Sequence, residues 1–245
     1  MLLFGHRGGS GEAPENTVAA FAYAKGIGVT CFELDIYLSA DHKLVVLHDD
    51  GGNVARTTNG TGYVDEMTVE QLHQLDARAK FPNWPGPVWV PTLEEVFQEI
   101  RDCQFCQVEI KHDKYGRYDE IAQQLVETID RFGLRDRIIA ISFQAEALDA
   151  LRKVAPDIKR GYLTWDFNAP ESMEAAIRLA CAYAAMNHST TSAETVKKAH
   201  DAGLAVCCWT ANTREDIERL VDLGIDAITT DVPSLAMEVL GTCLA

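Results

Sequence analysis

Two carboxylates, Glu33 and Asp35, stand two positions apart in the otherwise apolar run CFELDIYL that begins at Cys31. On a strand both side chains leave the same face. Bare carboxylates side by side repel each other and lose hydration on burial, so such a pair favours a bound cation. The polar turn Ser39-Ala40-Asp41-His42 follows, then a second apolar run that ends in Leu47-His48-Asp49. If the chain folds back there with Leu38 opposite Lys43, counting inward sets His48 beside Glu33. Two carboxylates and an imidazole then meet at one spot.

Other groups able to do chemistry also end apolar runs. His6 and Arg7 follow Leu2–Phe4, Glu109 and Lys111 close the run from Phe105, and His188 and Trp209 end later ones. Hard oxygen donors such as Glu33, Asp35 and Glu109 suit Mg²⁺ or Ca²⁺, whereas zinc would recruit the histidines or cysteines. The histidines are left for proton transfer. Arg7 offers a planar fork to a phosphate and Lys111 a movable point charge.

The elements that must position these groups alternate along the chain. Strand-like runs centre near residues 3, 34, 108, 140, 162, 185, 206 and 228, with helical stretches over 117–131, 144–153, 170–180, 192–202 and 213–222 between the later ones. Pro14-Glu15-Asn16-Thr17 opens an earlier helix, and Thr92 with Glu95 has capping-box spacing at the start of another. Leu44–Leu47 lies outside the series, because its connection is too short for a parallel crossover. Eight βα units in 245 residues fit a (β/α)₈ TIM barrel in one domain, with an irregular insertion after the second strand at about 38–91. An open doubly wound sheet would carry a glycine-rich phosphate fingerprint after its first strand, where this chain has His6-Arg7-Gly8-Gly9. In a barrel, catalytic residues sit where strands end, which is where these groups fall.

Composition narrows the partners. A formal charge of −15 argues against nucleic acid and against adsorption to an anionic bilayer, so a phosphate ligand needs local positive charge. No apolar run approaches membrane-spanning length and no basic leader precedes Leu2-Leu3-Phe4, which points to a cytoplasmic protein without stable membrane insertion. Seven cysteines at irregular spacings read as reduced thiols. Cys103 and Cys106 come nearest to a metal pair, but with no further ligand close by they read as buried small hydrophobes.

Each group also has a plainer reading. Glu33 and Asp35 could face solvent with Lys111 as a salt-bridge partner. Trp209 could be rim packing or could stack on the carbon skeleton of a ligand. His188 could support the rim from behind, while His42, His73, His112 and His200 read as surface residues. Joint placement on one rim favours the chemical reading.

The blocks HRGGSGEAPENTVAAF (6–21), FELD (32–35), LHDD (47–50), RTTNGTG (56–62), VEIK (108–111) and TD-x-P (230–233) resemble the signature of the glycerophosphodiester phosphodiesterases. The resemblance runs from end to end. It implies a TIM-barrel hydrolase that uses a divalent cation to cut glycerophosphodiesters to glycerol 3-phosphate and an alcohol. It also implies His6 and His48 as the acid/base pair, Glu33, Asp35 and Glu109 as metal ligands, and Arg7 and Lys111 as phosphate-binding groups. Lys111 departs from many relatives in being followed by His112-Asp113 instead of proline.

Such chemistry is physically coherent. A phosphodiester is a monoanion with a poor leaving group, so catalysis needs neutralisation of its nonbridging oxygens and a proton for the departing alkoxide. Each histidine is worth ~10² to 10⁴ in rate as a general acid or base. The nucleophile is water or the glycerol 2-hydroxyl. Two other readings share parts of this pattern: a barrel that binds a sugar phosphate without turning it over, and a phospholipase D- or C-like barrel acting on lysophospholipids. The first has no use for two histidines and three carboxylates, and the second needs an apolar or basic surface.

Overall fold

The computed structural model describes residues 1–48 and 50–243. Eight parallel strands close into a TIM barrel: β1 (Leu2–His6), β2 (Cys31–Leu38), β4 (Phe105–Ile110), β5 (Ile138–Ser142), β6 (Lys159–Thr164), β7 (Tyr183–Asn187), β8 (Ala205–Trp209) and β9 (Ala227–Thr230). A short strand, β3 (Leu44–Val46), pairs antiparallel with β2. Closure comes from β1, which pairs with β2 through Phe4↔Cys31 and His6↔Glu33, and with β9 through Leu2↔Ala227 and Gly5↔Thr230. Because β1 stops opposite Glu33, β2 runs on past it, and β3 takes up that free edge beside Ile36, Tyr37 and Leu38.

Strand periodicity divides the side chains into two cores. Phe32, Leu34 and Ile36 of β2 and Val108 and Ile110 of β4 point outward into the layer beneath the helices, with Phe21, Phe97 and Leu125. The alternate residues point into the barrel, where Phe4, Cys31, Ile139, Ile141, Leu163, Ala185, Cys207 and Ala227 pack together. Continuing each strand by two residues on this inner parity reaches the rim: His6 after Phe4, Glu33 and Asp35 after Cys31, and Phe143 after Ile141.

The helices follow the amphipathic pattern. They are α1 (Val18–Gly26), α2 (Val69–His73), α3 (Leu93–Glu99), α4 (Tyr118–Phe132), α5 (Ala145–Val154), α6 (Pro170–Arg178), α7 (Ala193–Asp201), α8 (Arg214–Asp222) and α9 (Pro233–Cys243). In α4 the residues Ile121, Ala122, Leu125 and Ile129 form the buried stripe, and Gly133 ends the helix in a left-handed conformation. Thr92 and Glu95 make the expected capping box on α3.

Three local expectations change. Pro14, Glu15 and Asn16 lie before α1, whose N-cap is Thr17; Asn16 has φ of 57° and turns away from a helical path. The segment after β9 forms α9, for which polar periodicity was too weak to read, since it is apolar on most sides. The β2–β3 register is one residue from the expected count: Leu38 pairs with Leu44, not Lys43. The turn is longer because Ser39 N–H donates to Lys43 O at 2.9 Å and His42 takes φ of 57°. A one-residue slip reverses the facing of every later side chain, so His48 would fall opposite Leu34. The last paired residues are Ile36 and Val46, one further bond runs from Leu47 N–H to Asp35 O at 3.2 Å, and His48 lies beyond it.

Cys31, Cys103, Cys106, Cys207 and Cys208 are buried free thiols. Cys103 and Cys106 have C-x-x-C spacing, yet burial pushes the Cys103 thiol up to about 11, which suits packing and not metal ligation.

Candidate active site

At the C-terminal mouth of the barrel lies a cavity of about 340 Å³, lined by His6, Arg7, Glu33, His48, Glu109, Lys111 and Trp209 among others. It has two halves. Strands β1, β2 and β4 contribute the charged side chains; β5, β6 and β8 lead into Phe143, Trp165 and Trp209.

The charged half is built on buried carboxylates. One oxygen from each of Glu33, Asp35 and Glu109 lies within 4.8 Å of the others, and all three residues are buried. Asp35 is fixed from one side by Asn16, whose Nδ2 donates to Oδ2 at 2.7 Å and whose Oδ1 accepts from Asp35 N at 3.3 Å. Its other oxygen, Oδ1, is buried without a hydrogen-bond donor, the nearest cation being Lys111 Nζ at 3.4 Å. Burial and the neighbouring Asp35 charge push Glu33 well above the ordinary carboxylate range, and burial also raises Glu109. Asp35 goes the other way: burial opposes its charge, but Arg7 and Lys111 keep it ionised. An orphaned buried oxygen and two carboxyls resisting ionisation are what a cluster of hard donors shows when it is built around a cation, so the residues fit Mg²⁺ or Ca²⁺.

Arg7 and Lys111 flank this cluster. Arg7 has φ of 54°, and its N–H donates to Glu33 Oε2 at 3.1 Å. Its guanidinium is held by Glu15 through Nη1 at 3.0 Å and lies 3.1 Å from Asp35 through Nε, so among the described residues Nη2 is the nitrogen left to face an anion. The next residue must be glycine, since a Cβ on Gly8 would come within 2.8 Å of the Ala20 backbone. Lys111 Nζ sits 2.7 Å from Glu109 Oε1.

The two histidines approach from different sides. His6 Nε2 is 3.8 Å from Glu33 Oε2, while Nδ1 is 2.5 Å from Asp231 Oδ1. Asp231 is itself fixed, accepting from Ser10 Oγ and from Asn212 Nδ2, the latter at 2.6 Å. Although burial opposes its charge, the hydrogen bonds from His6, Ser10 and Asn212 hold its carboxyl well below the usual range. His48 accepts at Nδ1 from Arg56 Nη2 at 2.9 Å. Burial, reinforced by the Arg7, Lys111 and Arg56 charges, lowers His48 to about 3. Both rings are neutral near pH 7, but they carry their protons on opposite nitrogens: His6 donates from Nδ1 and His48 accepts there.

In the aromatic half, Phe143 stacks on Trp165 at 5.9 Å, and Trp209 meets Trp165 edge-on at 4.9 Å. Trp209 Nε1 donates to Ala185 O at 3.1 Å, which fixes the indole at the wall.

The geometry therefore gathers His6, His48, Arg7, Lys111, Trp209, Glu33, Asp35 and Glu109 around one cavity. A family model described as the glycerophosphoryl diester phosphodiesterase family matches residues 6–235. This chain belongs to that family. It is 36% identical to a glycerophosphodiester phosphodiesterase of Caldanaerobacter subterraneus subsp. tengcongensis, over 95% of this chain and 94% of that one. It is 33% identical to one from Bacillus altitudinis, over 97% of each. A solved Oleispira antarctica phosphodiesterase, in complex with the product sn-glycerol-3-phosphate, superposes with a TM-score of 0.91 at 28% identity, covering 98% of this chain and 97% of that one. The protein is thus a phosphodiesterase of this family, with the family's barrel.

Several residues around this cavity were not singled out by sequence reasoning. Asp231 stands in the quoted TD-x-P block and Glu15 and Asn16 in the first block, but nothing in their spacing declares a partner. Phe143 and Trp165 follow strands on the inner parity, a signal that was available. His188 is not among the cavity's lining residues; its Nδ1 lies 3.3 Å from Asp216 Oδ1, on the outer side of the rim.

Proposed function

We propose that this chain hydrolyses small glycerophosphodiesters to glycerol 3-phosphate and an alcohol, with Glu33, Asp35 and Glu109 holding a divalent cation, Mg²⁺ or Ca²⁺. The observation that carries the reading is the pair of histidines in opposite tautomers on two sides of a three-carboxylate cluster. When bound, the cation supplies Lewis-acid polarisation of the phosphoryl group. Arg7 and Lys111 neutralise the nonbridging oxygens, Arg7 through Nη2. His6, with its proton on Nδ1 and Asp231 behind it, has a lone pair at Nε2 for the proton of the attacking water, or of the glycerol 2-hydroxyl, in which case water then opens the cyclic phosphate, and Asp231 stabilises the imidazolium that forms. His48 presents Nε2–H to the departing oxygen. Trp209, with Phe143 and Trp165, gives an apolar wall for the carbon skeleton of one arm.

The acidic charge of −15 supports a small diester over nucleic acid or an anionic membrane, and a cytoplasmic place of action belongs to the same reading. No helix among the described residues is long and apolar enough to cross a membrane. The test is release of glycerol 3-phosphate from a panel of glycerophosphodiesters in the presence of Mg²⁺ or Ca²⁺. A panel with no turnover under either cation overturns the reading.

A further inference from the structure

One block of the sequence, RTTNGTG at 56–62, touches the site through Arg56 at His48, and one buried carboxylate, Glu15, touches it through Arg7. The two meet. The Glu15 side chain is only 2% exposed and gathers three cations from three parts of the chain: Arg7 at the end of β1, Arg56 at 2.6 Å and Lys80. Burial opposes its charge, but these cations keep its carboxyl below the ordinary value. Arg56 lies in a 3₁₀ turn, Val54–Arg56, capped by Asn53 Oδ1, which accepts from Ala55 N at 2.9 Å. Behind it, Thr58 Oγ1 donates to Val54 O at 2.7 Å. The turn is therefore set before the arginine side chain is.

From that turn Arg56 Nη2 reaches three acceptors: Glu15 Oε1 at 2.6 Å, His48 Nδ1 at 2.9 Å and His48 O at 3.0 Å. A guanidinium has only donors and does not lose its proton, so the nitrogen it touches must accept. We infer that Arg56 is a positioning residue that fixes His48 in the tautomer with its proton on Nε2, and that Glu15 is the anionic hub that holds Arg56 in place for this task.

The reason a separate device is needed lies in the β2–β3 register. Since the last bond of that ladder is Leu47 N–H to Asp35 O at 3.2 Å, no strand pairing among the described residues includes His48, and its ring would otherwise rotate about χ1 and χ2. Clamping both the ring nitrogen and the carbonyl of the same residue removes that freedom. The same hub holds Arg7, so the phosphate-facing guanidinium and the histidine are set from one carboxylate. Without Glu15, Arg7, Arg56 and Lys80 would repel one another without the carboxylate they share, and Arg56 would lose one anchor beside His48.

The consequence for turnover rests on the hydrolytic function proposed above, but the tautomer does not, and the experiment separates the two. The protein is labelled with ¹⁵N-histidine, kept in Mg²⁺, and examined by long-range ¹H–¹⁵N correlation near neutral pH; His48→Ala and His6→Ala variants assign the two rings. In the unsubstituted protein, His48 should show an unprotonated Nδ1 and a protonated Nε2, and His6 the reverse. A protonated Nδ1 on His48 overturns the inference without any variant. Arg56→Met should abolish the fixed pattern of His48, giving a ring averaged between tautomers, while the His6 pattern stays as an internal control of folding. Arg56→Lys, which keeps the charge but cannot reach Glu15 and His48 together, should restore the pattern only in part, and Glu15→Gln should loosen it. On a hydrolysed diester these changes should lower kcat about 10- to 100-fold, as loss of outer partners that orient a ring does elsewhere. An unchanged His48 pattern in Arg56→Met with the His6 pattern intact rejects Arg56 as the positioning group. If the proposed activity is absent but the tautomers behave as described, the hydrolytic reading fails and the positioning network stands.

Discussion

His6 Nδ1 lies 2.5 Å from Asp231 Oδ1, although 225 positions separate the two residues. The contact spans the seam at which the first strand meets the last. In the proposed mechanism this pair is a base and the carboxylate that orients it, which sets the first expectation.

Asp231→Asn should leave the barrel folded, because Asn212 and Ser10 can still bond the side chain, and should lower kcat by roughly 10² or more through loss of the Nδ1–H tautomer of His6. Steady-state kinetics beside circular dichroism checks this. Near-normal kcat in a folded variant would remove Asp231 from the proton path.

Chelation should abolish hydrolysis of glycerophosphocholine or a similar diester, and Mg²⁺ or Ca²⁺ should restore it. Glu109→Gln, nearly constant in volume, should move the midpoint of the metal titration to higher concentration while thermal stability changes little. Full activity in excess chelator, or an unmoved midpoint, contradicts the ligand set Glu33, Asp35 and Glu109.

The histidines should separate by leaving group. A nitrophenolate needs little help to depart, so His48→Ala should regain a large part of its lost rate on a nitrophenyl ester, while His6→Ala stays impaired on every substrate. Arg7→Lys should impair both substrates alike, since the phosphate they share loses a planar partner. Equal rescue of the two histidine variants would mean that the rings do not divide the work this way.

Acid should expose the burial of His48. Its folded value is lowered from 6.5 to about 3, so below pH 6.5 the unfolded chain binds a proton that the folded chain refuses. Stability then falls as pH drops through that window, down to about 3. His48→Gln removes this contribution, and its melting temperature should decline less steeply between pH 6.5 and pH 4 than that of the unsubstituted protein. Parallel melting curves for the two proteins would show that His48 titrates normally.

How far the sequence revealed this arrangement depends on whether a residue belongs to a periodic element. Glu33, Asp35, Glu109 and Trp209 lie on strands, and Lys111 follows one on the same parity; the two-residue period alone aims them into the barrel. Phe143, Trp165 and Asp231 obey the same parity but lie beyond the last residue that looked like strand, where Ser142, Thr164 and Thr230 blur the apolar run. Glu15, Asn16 and Arg56 sit on loops, whose path has no period to extrapolate. His48 reaches the cavity even though the pairing count that led to it was off by one, since it lies one residue beyond the last ladder bond, at Leu47, and Arg56 sets the ring. Spacing on strands was readable; a clamp assembled from three loops was not.

The two-sided pairing of β1 also bears on how the protein becomes active. All three clustered carboxylates and Lys111 have been synthesised by the time residue 111 leaves the ribosome, but the partner of His6 arrives only with the final strand. An incompletely made chain can therefore carry every acidic side chain of the cluster while its base lacks an orienting group. Turnover is on this reading a readout of ring closure: a barrel that has not zipped its last strand against its first holds the acidic cluster but lacks the carboxylate that orients His6.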